Sequence, residues 1–172
     1  RLPIVSISTD AWGVDYLLFD KRGALIEPTF HYRDNRTARG VANAHAKVDW
    51  PSIFAETGIQ FMPLNTLYQL AAESRERLAE AYQLLLIGDG FNYWLSGVAR
   101  AEESMASTSQ LYNPRTRTWS ERLLDAFGRG EVRRIDLVAR IMRNLHDPSG
   151  QTVDMARFLA DTGRDILESA GV

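Results

Sequence analysis

Near the start of the chain, Ser8-Thr9-Asp10-Ala11-Trp12-Gly13-Val14-Asp15 separates two apolar runs. An acid, an indole and a glycine in one turn bring three kinds of recognition to one point. A carboxylate accepts hydroxyl hydrogens. An indole offers a flat apolar face. A glycine lets a ligand approach the main chain. Together they suit a small polar ligand such as a sugar. Asp10 and Trp12 are the side chains that would do this. Each also has a plainer reading: Asp10 as a turn or cap residue, Trp12 as a ring sealing a loop, and Gly13 as a turn glycine. Asp15 reads as structural. Downstream, Tyr32, Arg33, Asp34 and Arg36 form a charged cluster, read as a surface network at a strand end.

Other chemistries find no support. His31, His45 and His146 share no metal-ligand spacing, and Asp10, Asp15 and Asp20 do not alternate as one site would require, so no protein metal site is expected. There is no Gly-x-Ser-x-Gly elbow and no phosphate loop, which removes hydrolase and P-loop readings.

The elements that must position these residues follow from pattern. Pro3 to Thr9 is short, β-branched and bounded by a turn, which predicts a strand. Tyr16 to Phe19 predicts a second. Asp20-Lys21-Arg22-Gly23 has hairpin turn chemistry, and Ala24 to Ile26 continues the partner strand. The first forty residues therefore read as sheet. The period then changes. Thr66 with Gln69 makes a capping-box pattern, and Leu67, Leu70, Ala71, Ser74, Leu78 and Ala81 follow at helical spacing. This predicts one amphipathic helix from Thr66 to about Gln83, with Glu73, Arg75, Glu76 and Arg77 mostly solvated. Asp89 is placed to cap a shorter helix through Phe91, Tyr93, Trp94 and Leu95, stopped by Gly97. Glu102 to Leu111 is either helix or loop. Thr118 with Glu121 is a second capping box, opening a helix that ends at Gly128.

Beyond Gly128, Val132, Ile135, Val138, Ile141, Met142 and Leu145 mark one helix face. Asp147-Pro148-Ser149-Gly150 is a turn, and Val153, Ala156, Leu159, Ile166, Leu167 and Ala170 mark another face. This predicts a helical hairpin. Strand pairs followed by mainly helical sequence give an α/β class, with a small sheet covered by helices.

Composition narrows the partners. The 172 residues carry 20 basic and 22 acidic side chains, a net charge of −2, and 45% are hydrophobic. That is enough apolar residue for one domain with a small appendage. No basic stripe alternates with aromatics, which argues against nucleic acid. The absence of cysteine removes disulfides and thiolate chemistry and fits a reducing, cytoplasmic setting. No apolar run has the length of a membrane span. The chain begins at Arg1, directly before a strand, which reads as a processed, trimmed or partial chain.

Six ordered segments carry a resemblance. They are Asp10-Ala11-Trp12-Gly13-Val14-Asp15, His31-Tyr32-Arg33-Asp34-Asn35-Arg36-Thr37, and Thr57-Gly58-Ile59-Gln60-Phe61-Met62-Pro63-Leu64-Asn65-Thr66-Leu67-Tyr68-Gln69-Leu70. Phe91-Asn92-Tyr93-Trp94-Leu95-Ser96-Gly97, Ala106-Ser107-Thr108-Ser109-Gln110-Leu111 and Asn113-Pro114-Arg115-Thr116 complete the set. Over about residues 1–128 the chain resembles the FGGY carbohydrate kinases, and within them those acting on the ketose L-rhamnulose. The family usually has Thr where Ala11 stands, Pro where Gly88 stands and Asn where Met105 stands.

The resemblance implies a ribonuclease H-like, actin-like ATPase fold. Residues 1–128 would form a sugar-binding N-terminal domain, and residues 129–172 a helical tail of unknown origin. The implied reaction is phosphoryl transfer from ATP with Mg²⁺ to a sugar hydroxyl, which relies on positioning, charge neutralisation and one aspartate base. In the family Gly13 corresponds to a sugar-contacting glycine, and the loop holding Gln60 and Asn65 faces the sugar. Asn65 has a plainer reading as a helix cap.

The family's Gly-rich phosphate loop and its His-Asp-Thr base motif have no counterpart here; His146-Asp147 is followed by Pro148. The expectation is a sugar-binding portion, Gly13, Trp12, Asp10, Gln60 and Asn65, without catalytic residues of its own. It would pair with a missing C-terminal ATP-binding domain, bind no ATP or Mg²⁺ tightly alone and be inactive alone. A non-catalytic sugar-binding or interaction module, a kinase remnant associating through its helical tail, is the alternative.

Overall fold

The computed structural model describes residues 7, 9 and 11–128. Its centre is an antiparallel ribbon of β1 (Tyr16–Phe19) and β2 (Gln83–Leu86), with Tyr16 opposite Leu86 and Phe19 opposite Gln83. All eight residues are buried, as a short continuous apolar run in a two-sided core requires. Alternation along a strand sends successive side chains to opposite faces, and the ribbon divides the interior accordingly. Tyr16, Leu18, Leu84 and Leu86 pack with Ala44, Ile53, Leu67, Tyr68, Leu78 and Leu123. Leu17, Phe19 and Leu85 pack with Ile87 on the other side.

Helices α1 (Arg36–His45), α2 (Trp50–Thr57), α3 (Thr66–Ala71) and α4 (Arg75–Glu80) precede β2. The α1–α3 contact is close enough that a Cβ on Gly40 would lie 1.8 Å from the Tyr68 carbonyl oxygen. Helix α5 (Ile87–Ser96) covers the second face, where Phe19 meets the Tyr93 and Trp94 rings edge-on at 5.1 and 5.8 Å. Short α6 (Glu103–Ser107), the hairpin β3 (Tyr112–Asn113) and β4 (Thr118–Trp119), and α7 (Glu121–Gly128) complete the described chain.

Several expectations agree with these elements. The Asp20–Gly23 turn closes with Asp20 N–H on the Ala24 carbonyl at 2.9 Å, and Gly23 has φ 79°. Gly97 ends α5 at φ 66°. The segment 102–111 resolves in favour of α6, capped by the Glu102 carboxylate on Met105 N–H at 3.0 Å.

Others are corrected. Sheet does not extend through the first forty residues. Leu25 makes only an isolated bridge to Phe19; the chain then passes a cis Glu27–Pro28 bond and α1 begins at Arg36. The single helix from Thr66 to Gln83 is three elements. Ser74 leaves helical geometry at ψ 150° and its hydroxyl accepts the Arg77 N–H at 3.2 Å, starting α4, while Gln83 opens β2. Glu73 is not solvated but buried, and Arg77 is only 16% exposed. Asp89 lies inside the first turn of α5 and does not cap it. Thr118 belongs to β4, and Ser120 takes the N-cap role, accepting Leu123 N–H at 3.3 Å. The described strand pairings are all antiparallel, not mixed. The predicted strand Pro3–Thr9, apart from Ile7 and Thr9, and the helical hairpin 132–170 lie outside the described residues. No described helix is long and apolar enough to cross a membrane.

Candidate functional site

The turn that opens β1 is a γ-turn. Asp15 N–H donates to the Gly13 carbonyl at 3.0 Å across Val14, whose φ is 71°. A β-branched residue at positive φ is costly, on the order of 1–3 kcal/mol, and persists only when its surroundings enforce it. Here they do. Val14 N–H donates to Thr108 Oγ1 at 3.2 Å. The Val14 carbonyl accepts from Thr66 Oγ1 at 2.6 Å and Gln69 Nε2 at 3.1 Å. Thr66 and Gln69 thus answer a distant strand turn in place of capping their own helix. Gly13 fits against Thr108, whose Oγ1 would lie 2.9 Å from an added Cβ.

Asp15 is 2% exposed and ties the turn together. Its Oδ1 accepts from Gln69 Nε2 at 3.3 Å, and its Oδ2 accepts the Trp12 indole N–H at 2.7 Å. Trp12 is consequently anchored by its one polar atom while remaining 53% exposed. Sealing a loop is not what this ring does; it presents apolar surface to solvent.

Beside it stands His31, its Nε2 4.0 Å from Asp15 Oδ2 and its ring centroid 6.3 Å from that of Trp12, inclined at 57°. Tyr32 lies 4.2 Å from the His31 ring. A buried ionic cluster fixes this loop from behind. Glu73 accepts from Tyr16 Oη at 2.7 Å, Arg36 Nη1 at 3.0 Å and Arg77 Nε at 3.1 Å. Arg36 lies over the Phe30 ring at 3.8 Å, and Arg77 donates to the carbonyls of Glu27 and Pro28. Burial pushes the Glu73 carboxyl up, but bonds from Tyr16 and Arg36 outweigh it and hold the group below the usual carboxylate range. Burial, then the charge of Glu73, raises the Tyr16 phenol. Arg36 therefore belongs to a buried network and not to the solvated surface cluster its neighbours suggested.

Gln60 is exposed, and its carbonyl accepts from Gln110 Nε2 at 3.2 Å and Asn65 Nδ2 at 3.5 Å. Asn65 is wholly buried and makes no side-chain cap to α3. The amide oxygens of Asn65, Gln69 and Gln110 have no hydrogen-bond partner among the described residues. Asn65 begins the helix whose Thr66 and Gln69 grip Val14, so the 60–69 segment and the 12–15 turn meet directly. Asp10 lies outside the described residues.

Asp89 is 3% exposed, with Oδ1 on Glu102 N–H at 3.2 Å and Oδ2 unpartnered among the described residues. Burial pushes its carboxyl up to about 7. No group of three or more acids, histidines or cysteines among the described residues is placed to hold a metal ion.

Pattern alone did not bring out Thr108, or His31 as part of this corner. The signal for His31 was present as an adjacent aromatic pair, His31-Tyr32, but only its contact with Trp12 and Asp15 gives the pair meaning. Thr108 entered only within a segment of the resemblance, and its part in the turn stayed hidden because its partner Val14 is distant in sequence.

Comparison with known proteins agrees with this architecture. Residues 2–138 match the N-terminal domain of the FGGY family of carbohydrate kinases. A rhamnulokinase from Enterococcus faecalis is 45% identical over 126 residues, covering 73% of this chain and 26% of that protein. A rhamnulokinase from Pectobacterium atrosepticum is 44% identical over 168 residues, covering 96% of this chain and 32% of that protein. This chain thus spans a third or less of these relatives' length. Its fold is similar to a xylulose kinase from Lactobacillus acidophilus, with TM-score 0.66 and 21% identity over 76% of this chain and 27% of that one. A gluconate kinase from the same organism gives 0.64 and 21%, over 74% and 26%. The chain belongs to the FGGY family of carbohydrate kinases and corresponds to the N-terminal segment of its rhamnulokinase-like members.

Proposed function

We propose that this chain forms one wall of the acceptor-sugar site of an ATP-dependent carbohydrate kinase, with L-rhamnulose or a related ketose as the sugar. The observation that carries the reading is Trp12: its indole N–H is bound to buried Asp15, and 53% of the residue is exposed beside the Gly13 turn. A ring held by its edge with an open face is suited to stack on the C–H face of a sugar. Gly13, whose missing Cβ leaves room for Thr108, offers its main chain to the sugar, and Asp10 accepts from its hydroxyls. Gln60 serves at the rim, and buried Asn65 serves beneath it, its side chain held to the Gln60 carbonyl at 3.5 Å.

ATP supplies the phosphoryl group in complete enzymes of the family. The residues present include no Gly-rich phosphate loop and, among those described, no cluster of metal ligands. They do not fit a nucleotide–metal site, and the part assigned to this chain is binding and orienting the acceptor. The nucleotide and the base on the sugar hydroxyl are assigned to the remainder of a complete kinase.

Calorimetric titration of the 172-residue chain with L-rhamnulose and a panel of ketoses tests this. Saturable binding that is lost in Trp12→Ala is expected. No heat with any ketose would overturn it.

A further inference from the structure

We propose that His31 is a specificity-determining residue of this sugar site, donating a hydrogen bond from Nε2 to a hydroxyl of the sugar stacked on Trp12. This rests on the sugar-site reading above and adds a residue and a chemical selection to it.

Arg33 N–H donates to His31 Nδ1 at 3.3 Å, so Nδ1 acts as acceptor and Nε2 carries the hydrogen of the neutral ring. That hydrogen is left without a full bond. Asp15 Oδ2 is 4.0 Å away, beyond hydrogen-bond distance, and it already accepts the indole N–H at 2.7 Å. The imidazole side chain is 50% exposed. A donor therefore sits next to the Trp12 ring, 6.3 Å between centroids and inclined at 57°. Two rings in this relation make an open corner. One side supplies an apolar face, and the other a directed N–H.

The corner is built and not merely exposed. The Tyr32 ring lies against the imidazole, 4.2 Å between centroids. The loop that carries both is pinned at Phe30 by Arg36, 3.8 Å above its ring, and at the Pro28 carbonyl by Arg77 at 2.8 Å. Buried Glu73 holds both arginines. The loop that carries His31 is thus held by a buried ionic network. A ligand hydroxyl near the indole accepts the Nε2 hydrogen without competing against a stronger internal acceptor. The chemical class selected is a polyhydroxylated ketose with a hydroxyl adjacent to its stacked C–H face.

The test is calorimetry on the full chain and on His31→Ala, His31→Gln and Trp12→Ala, with L-rhamnulose, its epimeric ketoses and a deoxy analogue of each hydroxyl. His31→Ala is expected to weaken L-rhamnulose by about five- to tenfold, the worth of one hydrogen bond. Its effect should vanish for one deoxy analogue, and His31→Gln should restore part of the loss. A merely structural histidine would weaken all ligands alike and gain nothing from glutamine. If the wild-type chain binds ketoses and His31→Ala binds all of them within twofold, the role of His31 is overturned and the sugar site stands. If the wild-type chain binds none, the sugar-site reading fails and the role of His31 fails with it.

Discussion

Gln69 Nε2 lies 3.1 Å from the Val14 carbonyl oxygen and joins two segments 55 residues apart in sequence. The same amide reaches Asp15 Oδ1 at 3.3 Å and the Leu64 carbonyl at 2.8 Å. One buried side chain thus holds a positive-φ valine, the carboxylate that anchors Trp12, and the start of α3. Gln69→Ala strands these acceptors in the interior and leaves a void. The expected cost is about 2–4 kcal/mol in urea-melt stability. A loss under about 0.5 kcal/mol would mean that Thr66 alone keeps the turn.

Asp15 Oδ2 holds the Trp12 indole N–H at 2.7 Å. Asp15→Ala releases the indole N–H, and the Trp12 side chain becomes free to leave its pose. The expectation is an upfield indole N–H resonance in NMR, as a strong bond to carboxylate is lost, with roughly tenfold weaker ketose binding. Trp12→Phe keeps a ring but has no anchor, and should match Asp15→Ala in affinity. Undiminished binding in Asp15→Ala would show that the anchor is unnecessary.

Glu73 is the shared acceptor of Arg36 and Arg77, whose side chains are 11% and 16% exposed. Glu73→Gln leaves two poorly hydrated cations without their carboxylate, at an expected cost of about 3–5 kcal/mol. Because the folded Glu73 titrates below its ordinary value of 4.5, its contribution is present above that pH and is lost as pH falls through the folded value. Acid unfolding of Glu73→Gln should therefore be shallower than wild type below pH 4.5. An unchanged acid limb would contradict this assignment.

Asp89 works in the opposite sense. Its carboxyl rises from 3.8 to about 7 on folding, so between these values the folded state holds the proton more tightly. Stability from this group is full below 3.8 and declines as pH rises toward 7. Asp89→Asn, which keeps an oxygen for Glu102 N–H, should gain on the order of 1–4 kcal/mol over wild type at pH 8. The two proteins should converge near pH 4 in paired melts. A gain that is the same at both pH values would assign the effect to packing instead.

Short-range signals made part of this fold legible. Asp20–Gly23 is a turn because Gly23 tolerates positive φ and Asp20 Oδ1 accepts two nearby N–H groups, from Arg22 and Ala24. Gly97 and Glu102 are likewise local. What stayed hidden depends on distant partners. Gln83–Leu86 starts where the predicted helix ends and carries no strand expectation; it is a strand because Tyr16–Phe19 pairs with it. Glu73 looks like a solvated helix acid, and is buried because Tyr16 and Arg36 meet it. Thr66 and Gln69 have the spacing of a capping box, yet both face Val14. The site followed the same rule. Trp12 and Gly13 stood out by residue type, whereas Asp15 and His31 acquire their parts only through contact.

The β1–β2 ribbon also serves as a ruler. Asp15 O accepts Ile87 N–H at 3.0 Å, one rung beyond the Tyr16–Leu86 pair. The indole anchor and the first residue of α5 are therefore adjacent marks on one scale. A one-residue slip would exchange the ribbon's two apolar faces and carry Asp15 out from under Trp12. The register of this ribbon thereby calibrates where the Trp12 ring stands, and errors in the interior would be read out at the surface.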